Sequence, residues 1–284
     1  MNKNSIRNIV VFIVIVIISG WIGVLVDSIL TDQPEGDSLG MAIWLVLPML
    51  TAFAIILFSK ASWNDIGFKL NFKGNIKWYL ASIFIFPVIT VIVLIIGVAT
   101  KWIDMSSLNL KPLILAFCSI MLINFIKNIF EETVWRGYLT SQLVKLNLSD
   151  WKIYLIVGCV WGVWHIPYYL VFLSEANIQT VLPASRVIFA GVAIITMLFW
   201  SVLFIELYRV AKSIWPCVLL HMVEDSLVNP LVISGYITIV TGKEILISPI
   251  IGVITSVLYL AVGLGIRAYR RKVDQIVFRT HPGC

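Results

Sequence analysis

Long apolar runs separated by short polar stretches repeat along most of the chain. They fall near residues 9–30, 41–59, 78–99, 112–130, 153–173, 187–208, 213–229 and 245–266. A helix needs about 20 apolar residues to cross about 30 Å of hydrocarbon. The pattern therefore predicts an all-α, polytopic membrane helix bundle with about eight transmembrane helices. The first run follows Lys3 and Arg7, as a secretory signal would, but its apolar stretch is too long and no small-x-small cleavage site follows. It reads as an uncleaved anchor. The seventh run is the weakest, because it carries His221, Glu224 and Asp225.

The short polar stretches then set an orientation. Lys3 and Arg7, then Lys60, Lys69, Lys73 and Lys77, fall on one side of such a bundle. Arg136, Lys145, Lys152, Arg209, Lys212 and the cluster Arg267, Arg270, Arg271, Lys272 and Arg279 join them. The other side keeps Lys101, Lys111, Arg186 and Lys243, and its first loop carries Asp32, Glu35 and Asp37. Lys and Arg accumulate in cytoplasmic loops, so both termini are predicted cytoplasmic.

Composition agrees with the pattern. The 284-residue chain is 60% hydrophobic and 13% charged, whereas a soluble domain is about 45–50% apolar and about 25% charged. The net charge of +6 is accounted for by loop residues and implies no nucleic-acid partner. Cys118, Cys159, Cys217 and Cys284 show no paired spacing and read as small apolar residues. No internal repeat or low-complexity segment is present. The absence of organelle signals is compatible with a multi-pass protein of a bacterial plasma membrane.

Against this background the stretch Glu131-Glu132-Thr-Val-Trp-Arg136 stands out. An ionised carboxylate at bilayer depth costs about 2.5–3.5 kcal/mol on insertion scales unless it is paired. At 100° per residue Asn124, Lys127, Asn128 and Glu131 share a face, with Glu132 and Arg136 adjoining it. Such a stripe belongs against a bundle interior or a wet cavity. Glu132 and Arg136 have the spacing of an ion pair, and Lys127 could neutralise Glu131 in the same way. An interfacial helix end with ordinary salt bridges would show the same charges.

Two of the three histidines tip the balance towards a site. His165 lies mid-run in Trp161-Gly-Val-Trp-His165-Ile-Pro167, and His221 lies in His221-Met-Val-Glu-Asp225. His281, in the tail, reads as a surface residue. Imidazoles with carboxylates can hold a zinc-like ion or form a general base with its partners. Trp161 should pack beside His165, Pro167 should interrupt its helix and free a carbonyl, and Asp225 could accept the His221 ring N–H or contribute an oxygen itself.

Glu131-Glu132-x-x-x-Arg136, Trp161-x-x-x-His165 and His221-x-x-x-Asp225, in this order over residues 110–232, resemble the CAAX-protease and bacteriocin-processing (CPBP, or Abi) family of intramembrane proteases. That family includes the type II CAAX prenyl endopeptidases. The loop Asp65-Ile-Gly-Phe-Lys-Leu is also similar to the family's amino-terminal half. On this resemblance one integral membrane domain would comprise amino-terminal helices (1–109), a catalytic core (110–232), and a last helix with a basic tail (233–284).

The resemblance implies hydrolysis of a peptide bond within a polar cavity open to the cytosolic side. Glu131 would activate water, with His165 helping to hold it. His221 and residue 225 would stabilise the oxyanion, while Glu132 and Arg136 would shape and neutralise the site. Both a metal-free mechanism and one with zinc or another divalent ion on Glu131, His165 and His221 are open. In the latter, bound water reaches a pKa of about 7. The family's third motif often ends in Asn, and an ionised Asp225 cannot donate to an oxyanion. Asp225 would then be protonated, a metal ligand or an orienter of His221.

The substrate class is a membrane-associated peptide or protein. Two other readings use the same residues: a catalytically silent scaffold or bacteriocin-immunity protein, and an ion-coupled transporter. Full occupancy of the acid and imidazole positions argues against the first. The lack of repeated halves argues against the second.

Overall fold

A computed structural model describes residues 3–34, 36–59 and 62–280. Lys60, Glu35 and His281, read above as loop or tail residues, lie outside the described residues, as do Cys284 and the Arg279 side chain; of the cysteines expected in the core, Cys217 is buried, whereas Cys118 and Cys159 are exposed on outward helix faces. Among the described residues, eight helices are long and apolar enough to cross a membrane. They are α1 (Lys3–Ile29), α2 (Leu39–Ser59), α3 (Ile76–Ala99), α4 (Leu110–Lys145), α5 (Asp150–Phe172), α7 (Arg186–Ala211), α8 (Trp215–Ile233) and α10 (Val253–Ile276). Two short helices, α6 (Glu175–Val181) and α9 (Glu244–Ile247), lie in the loops. The fold is the all-α polytopic bundle that the apolar runs predict.

Two spans depart from the sequence reading. The last was expected from residue 245, but it begins at Val253. Residues 244–247 form α9, and Pro249 together with the turn at Ser248 separates the two helices. The fourth was ended at residue 130, yet its helix runs on to Lys145 and takes Arg136, expected in a loop, fully into the interior. The pairing of Arg136 with Glu132 one turn earlier makes that burial affordable.

Outward faces are apolar, as lipid requires: Val10, Val14, Ile18 and Leu25 of α1 and Leu115, Leu122 and Ile123 of α4 are exposed. The polar groups are inside. Helices α1 and α2 approach so closely that a Cβ on Gly23 would collide with the Gly40 backbone. Asp27 Oδ1 accepts the Gly40 N–H at 2.8 Å to fix that crossing.

The ends of the spans are tied by distinct devices. At the end that carries the termini, α5, α7 and α10 converge on Asp150 and Glu206. Arg209 and Arg267 each reach Asp150 at 2.7 Å, and Arg270 reaches Glu206 at 2.6 Å. The loop between α2 and α3 folds back under the bundle at this same end. Its turn Trp63–Ile66 is capped by Ser62 and ends at Gly67, with φ +80°. Gly67 O accepts from Ile214 N at 3.1 Å, and Phe68 O accepts from Trp215 Nε1 at 2.7 Å. At the opposite end Ile103–Asp104 (β1) pairs antiparallel with Thr238–Ile239 (β2), and α6 lies beside them in sequence order between α5 and α7.

Candidate active site

Three helices supply the polar groups, and all three change winding where they do so. Just after Glu131 and Glu132, α4 widens into π-helical turns over Thr133–Thr140. Just after His165 and Pro167, α5 does the same over Tyr168–Phe172, and after His221, α8 does so over Glu224–Val228. π-Helical turns are rare and concentrate at functional sites, since the extra residue re-aims side chains relative to the flanking helix. Pro167, which lacks an N–H, accompanies the break in α5. There the Trp164 carbonyl accepts from Trp44 Nε1 at 2.9 Å, which ties α5 to α2.

The innermost layer is a buried charge relay. Glu132 Oε1 accepts from Arg136 Nη1 at 3.0 Å and lies 2.9 Å from His221 Nδ1. The Arg136 guanidinium sits in the corner made by the rings of Trp161 and Phe204, each 4.3 Å away and set edge to face with one another. Delocalised and weakly hydrated, a guanidinium tolerates such stacking better than an ammonium would. Glu132 and Arg136 are completely excluded from solvent.

Above this layer the second glutamate faces a cavity. Glu131 Oε2 accepts from Trp161 Nε1 at 3.2 Å, and its Oε1 lies 3.8 Å from Lys127 Nζ. His165 presents Nδ1 to the Trp161 carbonyl at 2.9 Å, and its ring stacks on Tyr169 with centroids 5.6 Å apart. With Nδ1 engaged, Nε2 is the nitrogen left for other chemistry. Trp161 thus positions both groups, as its place one turn before His165 predicts.

Asp225 is differently placed from the sequence expectation. Its Oδ2 lies 3.9 Å from His221 Nε2, too long for a hydrogen bond. Instead it meets Lys127 Nζ at 2.8 Å and accepts from Asn128 Nδ2 at 2.7 Å, while Oδ1 accepts from Asn229 Nδ2 at 3.3 Å. Glu132, not Asp225, holds His221 in place. Three N–H donors converge on Asp225, which makes it an acceptor-only carboxylate.

Glu131, His165, His221, Asp225 and Lys127 line one cavity of about 210 Å³, room for roughly seven waters at about 30 Å³ each. Glu224, which the sequence reading noted only as a charge that weakened the seventh span, lines it too. Its signal was its place beside Asp225. Among the described residues His221, Glu224 and Asp225 place ligand-capable atoms within 4.8 Å of one another. Their chemistry suits a divalent ion, but the Lys127 ammonium already rests on Asp225, and beside Glu131, where such an ion would need their charge.

The cavity has one direction. From Glu131, His165 and His221 it runs past Met41 at the start of α2, Leu173 and Asn177 after α5, and Ile250 and Ile251 before α10. All of these lie at the end of the bundle opposite the termini. Towards the termini it is stopped by the buried segment Thr133–Thr140, on which the α2–α3 loop is packed. A Cβ on Gly137 would strike Ile66 of that loop at 2.6 Å. Cytoplasmic termini and a cytosolic mouth, both expected above, are therefore mutually exclusive.

Residues 113–227 match the family model described as type II CAAX prenyl endopeptidase, Rce1-like. The matched stretch carries every motif residue named above. No curated protein matches the chain.

Proposed function

We propose, from the match of residues 113–227 to the Rce1-like family model, that the chain is an intramembrane endopeptidase that hydrolyses a membrane-associated peptide or protein with water activated by Glu131. The observation that carries this reading is the shared cavity: a buried carboxylate and two imidazoles, each already oriented by a second group, face the same small space.

Water held between Glu131 and His165 Nε2 attacks the scissile carbonyl carbon, and Glu131 takes its proton. The carbonyl oxygen becomes an oxyanion. The Lys127 ammonium, held by Asp225, is the positive group that stabilises it. Asp225 then works as the tether of Lys127, so that a Lys–Asp pair does what a neutral donor at position 225 would do alone. As the C–N bond breaks, the proton on Glu131 passes to the departing amine. Glu132 fixes the His221 tautomer, and Arg136 offsets the charge of Glu132 in the dry layer behind it.

This reading favours glutamate-activated water without a metal, because Lys127 occupies the electrostatic position of a cation. If an ion were held by His221, Glu224 and Asp225, it would supply Lewis acidity at the carbonyl and would have to displace Lys127. Purified protein and its Glu131→Gln variant, assayed on lipidated and amphipathic peptides, test the proposal. Cleavage confined to the unsubstituted protein is expected; equal cleavage by both would refute the role of Glu131.

A further inference from the structure

The closed floor and open mouth of the cavity can be set against the distribution of charge. Among the described residues, the cations in the loops and span ends opposite the termini are Lys101, Lys111, Arg186 and Lys243. The loops and span ends on the termini side carry a larger set, including the run Arg270-Arg271-Lys272 at the end of α10 and the basic loop Lys69–Lys77. An even number of spans places both termini on one side, and a Lys/Arg excess of this size in short loops marks the cytoplasmic side. The cavity mouth is at the other end.

From these two facts we infer that the site opens to the extracytoplasmic face and takes polypeptide segments presented from outside the cytoplasm. The consequence for cleavage rests on the protease reading above, but the direction of the mouth does not. The floor supports it independently. Between the cavity and the cytoplasmic loops lie the fully buried Trp135, Arg136 and Trp161, and beneath them the α2–α3 loop is pinned by Tyr208 to Asp65 O at 2.5 Å and by Asn71 to Lys212 O at 2.9 Å. A cytosolic peptide would have to unseat this loop and separate the Arg136–Glu132 pair to reach Glu131.

The mouth is also built for a polypeptide with some apolar character. Met41, Leu173 and Ile250 frame it, with Asn177 as a polar group on the α6 side. Helix α6 begins at the Ser174 cap and is braced by the Glu175–Arg186 pair at 3.0 Å, while Arg186 also donates to the Leu173 carbonyl at 2.7 Å. A stretched segment emerging from the outer leaflet would meet this rim first.

Thiol labelling tests the direction without any substrate. Cys118, Cys159, Cys217 and Cys284 are replaced by alanine in the full chain, and single cysteines are introduced by Thr180→Cys on α6, Lys73→Cys in the α2–α3 loop, or Met197→Cys in the cavity wall. Intact bacterial cells expressing each variant are treated with a membrane-impermeant maleimide or, for the cavity position, a small charged methanethiosulfonate. Labelling of Thr180→Cys in intact cells, labelling of Lys73→Cys only after permeabilisation, and modification of Met197→Cys from outside are expected. Reversed labelling of the first two would overturn the orientation. Modification of Met197→Cys only in inverted vesicles, or not at all, would overturn the mouth. Should the cysteine-free chain fail to fold, alkaline phosphatase fused after the native carboxyl terminus reads orientation alone: inactive fusion is expected, and active fusion overturns the inference. None of these readouts requires cleavage, so a missing peptide substrate leaves this inference standing, and a failed orientation leaves the protease reading standing.

Discussion

Glu132 and His221, on helices α4 and α8 and 89 residues apart in sequence, meet at 2.9 Å in a layer from which solvent is excluded. The adjacent Glu131 points instead to the cavity. Neighbours on one α-helical turn, the two carboxylates point about 100° apart, so that one meets the buried ion pair and the other the cavity.

Replacing the one at the cavity removes the base and leaves the fold. Glu131→Gln keeps the acceptor for Trp161 Nε1 but cannot take a proton from water. Cleavage by the purified variant should fall by at least about 100-fold, with an unfolding midpoint in detergent close to that of the unsubstituted protein. A collapse of the midpoint would show that the carboxylate is there for stability.

The opposite signature is expected at the pair behind it. Removing one member of a buried ion pair typically costs about 3–5 kcal/mol, so Arg136→Met and Glu132→Gln should each lower the midpoint severely. Arg136→Lys should also destabilise, because an ammonium lacks the planar, weakly hydrated surface that lies against Trp161 and Phe204. The double variant Glu132→Gln/Arg136→Met should be less damaged than the sum of its parts, measured by thermal unfolding of each purified protein.

Lys127 and Asp225 should behave as one unit. Lys127→Met strands two carboxylates, whereas Asp225→Asn strands only one ammonium that still has Glu131 within 3.8 Å. In a double-mutant cycle on stability the two positions should couple by about 0.5–3 kcal/mol. On activity, Lys127→Met should be rescued in part by Asp225→Asn, which supplies a side-chain N–H where the ammonium was. Additive effects would separate the two residues.

A chelator should leave cleavage unchanged, and excess zinc should inhibit it. An added dication would settle on His221, Glu224 and Asp225 and would displace the ammonium that the proposed mechanism uses. Activity lost with chelator and restored by zinc reverses this assignment and makes the protein a metalloprotease. The readout is the cleavage rate of one peptide across both titrations.

The number of spans was legible because lipid imposes one simple demand, a continuous apolar run, on each of them. Arg136 broke that logic: a sequence window sees a charge and places it in a loop, while the fold hides it by pairing it with Glu132 and stacking it on two rings from other helices. The three motifs were legible as residue types. Contacts one turn apart were legible too, as the Glu132–Arg136 and Lys127–Glu131 pairs and the place of Trp161 beside His165 show; the partners of His221 and Asp225 were not. Asp225 has the spacing to serve His221, yet the winding change at Glu224–Val228 turns it to Lys127 and Asn128, and no periodicity argument at 100° per residue foresees a π-helical turn. The direction of the cavity was hidden for a similar reason, since it depends on which loop folds under the bundle.

The cluster at the termini end has a consequence for how the molecule is made. Asp150 and Glu206 emerge during synthesis with only Arg209 at hand, and the two arginines that complete their set belong to the last helix. Until α10 arrives, the growing chain holds two acids short of partners at the end of a half-built bundle. The final helix is therefore the clasp of the bundle: its two arginines complete an ion-pair set that the earlier helices leave open.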